Sequence, residues 1–204
     1  MIQPKHVVKQ HFSWSNVERA IKLVIASLCL VGGMLTTSGL VAQGVSHGQT
    51  TTFIIVRHAE REGNLDKLTA AGEERSRVLS AVGSAFNVRA IYSTDTERTK
   101  NTVKPLSLAI ETQTQIYGRP SRDWLASIQK KHAGQVVLIV GHSNTTGVIA
   151  GLLAETKPFK IDHDEYDALF IVQQSDSGTQ CTRLRYGSSS EGAQSADVDK
   201  MGVR

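Results

Sequence analysis

Apolar positions along the chain fall into short continuous runs and longer periodic stretches. Phe53-Ile54-Ile55-Val56 and Val136-Val137-Leu138-Ile139-Val140 are uninterrupted and rich in β-branched residues. Runs of this kind are strands buried on both faces, as in parallel sheets. Thr51–Arg57 and Gln135–Val140 are therefore predicted strands, with shorter ones over Val88–Tyr92 and Thr112–Ile116. Between them apolar residues recur at helical spacing. Thr69 is the predicted N-cap of a helix carrying Glu73 and Glu74 in its first turn, with Val78, Leu79, Val82 and Phe86 as its buried stripe. A second helix is expected to run from the turn Ser93–Asp95 to about Leu108, bent or broken by Pro105. Ser121 caps a third, with Trp124, Leu125 and Ile128 at core spacing, and Thr145–Leu153 forms a fourth. Two late strands, Ala168–Gln173 and Thr179–Tyr186, flank the turn Asp176-Ser177-Gly178 and predict a hairpin. Strands alternating with helices and followed by a hairpin predict an α/β fold: a three-layer α/β/α sandwich with a mostly parallel sheet and a C-terminal hairpin.

The chain ends carry a different pattern. Residues 1–22 are polar and basic, and Leu23 to Val41 then contains no charge. A basic region, an apolar stretch and small residues near Gly39–Ala42 predict a secretory signal peptide over 1–42. The stretch also approaches the length that spans a bilayer, so an uncleaved signal anchor through residues 23–42 stays open. Residues 43–50 read as a linker, 51–187 as the folded domain and 188–204 as a Ser/Gly-rich polar tail without order of its own. The expected location is periplasmic or extracellular, or anchored at the inner membrane if the segment is retained. Membrane contact is expected only through that segment.

Charge and cysteine content exclude some function classes. The formal net charge is +4. Lys5, Lys9, Arg19 and Lys22 against Glu18 place +3 of it before residue 43, so the domain itself is nearly neutral and nucleic-acid binding is not expected. The two cysteines are Cys29, inside the apolar leader, and Cys181, in a strand-like run. They offer no zinc or haem spacing, and Cys181 reads as a small buried apolar residue.

Four residues carry candidate chemistry. Arg57 and His58 end the first strand, Arg98 lies one turn into the helix after the second, and His142 follows the fourth. Each alone has an ordinary structural reading as a surface or solvated group. In a parallel sheet, however, all these strand ends face one edge, where ligands bind. Guanidinium groups hold phosphate oxygens and stay charged. A neutral imidazole with one nitrogen tied by a hydrogen bond can attack phosphorus through the other.

The same residues resemble a known family, the histidine phosphatase superfamily with its phosphoglycerate-mutase-like fold. Arg57-His58-Ala59-Glu60 is similar to its Arg-His-Gly-Glu signature, with Asn64 where the longer motif has Asn. Leu68-Thr69-x-x-Gly72 resembles the next block. Tyr92-Ser93-Thr94-Asp95-x-x-Arg98-Thr99-x-Asn101-Thr102 resembles Tyr-Ser-Ser-x-x-x-Arg-Ala-x-Gln-Thr, and Val140-Gly141-His142-Ser143 resembles the final Gly-His block. The resemblance spans about residues 52–175. It implies that His58 becomes phosphohistidine, that Arg57, Arg98 and His142 complete the phosphate pocket, and that Asn64 supports substrate binding. Ala59 in place of Gly is similar to the small phosphohistidine phosphatases, and Thr99 and Asn101 in place of Ala and Gln read as packing changes. Asp123 is the best carboxylate for the family's proton donor, with an equally ordinary reading as a residue favoured by a helix dipole. Glu60 and Glu62 are weaker candidates.

The expected activity is that of a histidine acid-type phosphatase. It would hydrolyse small-molecule phosphate monoesters through phosphohistidine, with no cofactor and no metal. A protein phosphohistidine phosphatase and a phosphate-binding module without turnover are the alternatives. His132 and His163 are expected to be solvated and the acidic run Asp162–Asp167 to be a solvated entry to the next strand; Arg61, close after the signature, is a minor candidate for the pocket mouth.

Overall fold

The computed structural model describes residues 49–190; the predicted leader, most of the linker and residues 191–204 lie outside the described residues. The described chain runs β1 (Thr51–Arg57), α1 (Ala70–Ala85), β2 (Ala90–Ser93), α2 (Glu97–Ala109), β3 (Thr114–Ile116), α3 (Arg122–Lys131), β4 (Val136–Gly141), α4 (Thr146–Leu153), β5 (Ala168–Ser175) and β6 (Gly178–Arg185). The strands form one six-stranded sheet in the order β3-β2-β4-β1-β5-β6. β1 to β4 pair in parallel, β5 is antiparallel to β1, and β6 closes the hairpin. The predicted three-layer architecture and hairpin are both present.

The continuous apolar runs are explained by two-sided burial. Phe53 and Ile55 pack with Ile139, Leu125, Ile128 and Ile149 under α3 and α4. Ile54 and Val56 pack with Leu79, Val103, Leu106 and Leu138 under α1 and α2. All four β1 side chains are fully buried, each contributing roughly 1.5–3 kcal/mol relative to exposure. β1 is therefore clamped between helices and strands, and its C-terminal residues are held rigidly.

Thr69 and Ser121 are the predicted caps: Thr69 Oγ1 accepts from the Gly72 amide (3.1 Å) and Ser121 Oγ from the Trp124 amide (3.1 Å). Other expectations are corrected. Phe86 is 41% exposed, because α1 ends one residue before it; the face of α1 that packs inward is Gly72, Arg75, Ser76, Leu79 and Gly83. Pro105 does not break α2, which continues to Ala109. The carbonyl of Asn101, which a proline four residues on cannot bond, accepts from Ser76 Oγ on α1 (3.0 Å). β3 begins two residues later than predicted, because the Thr112 amide turns back to the Ser107 carbonyl. The packed chain also continues past residue 187: Ser190 is buried, and its Oγ accepts from the amides of Tyr166 (2.8 Å) and Asp167 (3.0 Å). Among the described residues no helix is long and apolar enough to cross a membrane.

Candidate active site

β1 and β4 are sheet neighbours in the register Arg57↔Gly141, and β2 lies on the other side of β4. The residues that follow these strands therefore meet at one edge. His58 and His142 stand with ring centroids 5.4 Å apart. Gly141 is required by close packing: a Cβ there would lie 2.7 Å from Thr145 Oγ1 and 3.1 Å from the Tyr117 hydroxyl. The His142 amide then donates to Thr145 Oγ1 (2.9 Å), which sets the imidazole at the start of α4.

His58 is almost fully buried. Its Nδ1 lies 2.8 Å from the Ala59 carbonyl. A carbonyl only accepts, so Nδ1 carries the proton and Nε2 presents a lone pair. The Ala59 amide donates to Thr102 Oγ1 (2.9 Å), tying the signature to α2. Burial above all pushes the His58 pKa down to about 3; the bond to Ala59 opposes this, while the charge of Arg57 and the proximity of His142 and Arg98 add to it. His58 is thus a neutral imidazole with its Nε2 lone pair free, a form in which an imidazole can act as a nucleophile.

Arg57 is 2% exposed. Its Nη1 donates to the carbonyls of Asp162 (3.2 Å), His163 (2.6 Å) and Glu165 (3.1 Å), and its guanidinium carbon lies 3.9 Å from the Tyr166 ring centroid. Arg98 Nη1 donates to Asp66 Oδ1 (2.8 Å) and its Nη2 lies 3.3 Å from His142 Nδ1. Among the described residues the Nε atoms of both arginines are buried without a partner. Two buried cationic donors left open beside a neutral imidazole suit an anionic ligand with several acceptor oxygens. Burial first, then Arg98 and Arg57, push the His142 pKa down to about 4, with Asp66 pulling the other way.

The structure brings Arg57, His58, Arg98 and His142 together. Asn64 and Asp123 are not brought in by any contact: both are exposed, Asn64 in the loop after β1 and Asp123 in the first turn of α3, and neither bonds to a site residue among the described residues. Glu60 is not free either, because Arg75 holds both its oxygens (2.9 Å and 2.6 Å). Arg61 influences Arg57 and His142 only through its charge.

Several partners are invisible in the sequence. Asp66 accepts from the Glu97 (2.8 Å) and Arg98 (3.0 Å) amides and from the Arg98 side chain. Burial opposes its charge, but these bonds hold its carboxyl below the usual carboxylate range. Tyr166 stacks on Arg57 and sits 5.9 Å from the His58 ring. The acidic run around it is solvated only in part: Asp162 and Asp164 are exposed, but Glu165 and Asp167 are buried and pair with Arg183 and Arg185. His132 is also buried rather than solvated, between the Tyr92 hydroxyl (2.9 Å) and Gln135 (3.0 Å). Cys181 is half-buried on edge strand β6. Only Tyr166 left a trace in the sequence, an aromatic amid acids. A cavity of about 430 Å³ lined by Arg122, Gln129 and Glu155 lies apart from all these residues.

Residues 53–119 match the family model of the histidine phosphatase superfamily (branch 1). No curated protein matches the chain. Solved structures resemble it in fold. The protein histidine phosphatase SixA, complexed with tungstate, has a TM-score of 0.52 at 15% identity, with 66% of this chain and 96% of that one covered. YhfR of Bacillus stearothermophilus gives 0.52 at 16%, with 64% and 94% covered. A mycobacterial glucosyl-3-phosphoglycerate phosphatase gives 0.53 at 11%, with 69% and 100% covered. The family-model match covers about a third of the chain, and the solved structures show a likeness of fold, that of the phosphoglycerate-mutase-like phosphatases. The family match ends at residue 119; the Gly-His block lies beyond it and is brought to the site by the pairing of β4 with β1.

Proposed function

We propose that this protein is a phosphatase that hydrolyses phosphate monoesters through a phosphohistidine on His58. The single observation that carries this reading is the His58 ring, its Nδ1 held by the Ala59 carbonyl and its Nε2 free, between two arginines with unpartnered buried Nε donors. In the first step the Nε2 lone pair forms a bond to phosphorus and the P–O bond to the leaving group breaks, its electron pair departing on the ester oxygen. In the second, water attacks phosphorus, the P–N bond breaks and phosphate leaves. Arg57 and Arg98 neutralise the charge of the transferring group, and positioning supplies the remainder. The charge is met by protein groups, so the proposal needs no metal.

The protein phosphohistidine phosphatase reading is kept for one reason. Among the described residues no carboxylate at the site is free to protonate a departing alkoxide: Glu60 is bound by Arg75, Asp66 by Arg98, and Asp123 makes no site contact. A phosphohistidine substrate has an imidazole leaving group that needs less help. The polar, basic residues 1–22 and the uncharged stretch after them support an exported location, which favours phosphate esters outside the cytoplasm; fractionation of cells expressing the tagged protein tests it.

The deciding experiment is a panel of sugar phosphates, phosphoserine and phosphohistidine peptides with the purified protein. His58→Ala is expected to lower turnover about a thousandfold or more. Wild-type turnover by His58→Ala would refute the mechanism.

A further inference from the structure

The hydroxyls around His142 have a definite direction. Arg98 Nη2 has no lone pair, so at 3.3 Å from His142 Nδ1 it is the donor and Nδ1 the acceptor. A neutral imidazole then carries its proton on Nε2. That nitrogen lies 2.9 Å from Thr94 Oγ1, so Thr94 accepts. The Thr94 hydroxyl proton points to Thr99 Oγ1 (3.1 Å). Thr99 Oγ1 in turn donates to a main-chain carbonyl, Thr94 O (2.9 Å) or Thr96 O (3.0 Å), and accepts from Thr96 Oγ1 (2.8 Å). Every donor in the series is used, and Thr99 is fully buried. The Thr at position 99, which by its resemblance reads as a packing change from Ala, adds the hydroxyl that sets the direction.

This direction has a chemical consequence for the phosphatase reading, on which the inference rests. The Nδ1 lone pair of a neutral His142 accepts from Arg98 Nη2 and has no proton to give a phosphate oxygen that draws Arg98 onto itself. We propose that Thr94 and Thr99 are positioning residues that lock His142 in the Nε2–H form, so that the site takes the phosphate ester with one proton, as the monoanion. On binding, the O–H bond of the ester's phosphate breaks and an Nδ1–H bond forms. The ester becomes the dianion and His142 the imidazolium, with total charge unchanged. The imidazolium then donates through Nδ1 to a non-bridging oxygen and through Nε2 to Thr94.

The groups facing His142 agree. Arg57 and His58 from the end of β1, Arg98 from α2 and Arg61 from the loop after β1 surround it, with the Asp66 charge opposing them. They keep His142 neutral in the free protein, down to about pH 4. An arriving phosphate cancels that repulsion.

Two measurements test the proposal on the full-length protein. Nitrogen-15 spectra of histidine-labelled protein at neutral pH are expected to show His142 as the Nε2–H tautomer, turning to imidazolium when inorganic phosphate is added. The log of kcat/KM is expected to fall with a slope of one proton above the ester's second pKa of about 6. In Thr99→Ala the Thr94 hydroxyl is released to donate to Nε2, so that once phosphate draws Arg98 Nη2 from Nδ1 the Nδ1–H form is available without an imported proton. The alkaline limb should then move upward by roughly half a unit to one unit, the size one neutral hydrogen bond sets. Thr94→Ser should keep the wild-type profile. An Nδ1–H tautomer in the free protein, or kcat/KM flat from pH 6 to 8, overturns the proposal. The spectra need no turnover, so they stand even if His58→Ala shows that the phosphohistidine reading fails.

Discussion

His58 and His142 are neutral because they are buried among positive charges, and this has a cost in acid. Unfolded, both imidazoles titrate near 6.5; folded, they do so at about 3 and about 4. Between these values the unfolded chain binds more protons, so stability falls as pH drops from about 6.5 towards 4 and is independent of these groups above that window. Asp66 and Asp167, whose carboxyls are held low, add their loss only below the usual carboxylate range. Thermal unfolding of the free protein should therefore show a midpoint that declines steadily from pH 6.5 to 4. The double variant His58→Gln/His142→Gln should flatten that decline. An unchanged slope in the double variant would place the acid sensitivity elsewhere.

At the level of elements, α1 and α2 are joined by polar groups as much as by apolar contact. Ser76 Oγ lies within bonding distance of the Asn101 (3.0 Å) and Thr102 (2.9 Å) carbonyls and supplies the donor that Pro105 lacks. Ser76→Ala leaves the Asn101 carbonyl buried and unpaired. The expected loss is about 1–3 kcal/mol, read by denaturant unfolding, with Ser76→Thr retaining part of the bond. Stability unchanged in Ser76→Ala would mean that Pro105 is tolerated for another reason. Because Arg98 and Thr102 ride on α2, the change should also raise KM.

Across the whole molecule, the segment after β6 reaches back to the site. Arg75 donates to the Tyr186 and Ser188 carbonyls while gripping Glu60, two residues from His58. Ser190 Oγ accepts from the amides of Tyr166 and Asp167, behind the carbonyls that hold Arg57. Ser190→Ala should cost about 1–2 kcal/mol and weaken substrate binding more than turnover, as a rise in KM with kcat nearly kept. Equal loss in kcat would place Ser190 closer to the chemistry than its bonds do.

Local pattern alone was enough for the strands, the caps at Thr69 and Ser121, and the edge shared by Arg57, His58, Arg98 and His142. Two-sided burial writes continuous apolar runs, and parallel topology sends every such strand end to one side. Tertiary structure decided which groups those residues answer to. Asp66 reaches Arg98 across 32 positions, Thr94 reaches His142 across 48, and Arg75 reaches Tyr186 across 111. Such pairs have no period and no spacing rule, because they exist only after the helices are packed on the sheet. For the same reason His132 and Glu165 are buried though both looked solvated, and the carboxylate at Asp123 lies open though it looked catalytic. The order of residues determined that two imidazoles and two guanidinium groups would meet. The folded packing determined that the His58 imidazole is neutral, which of its nitrogens is free, and which hydroxyls bond to His142.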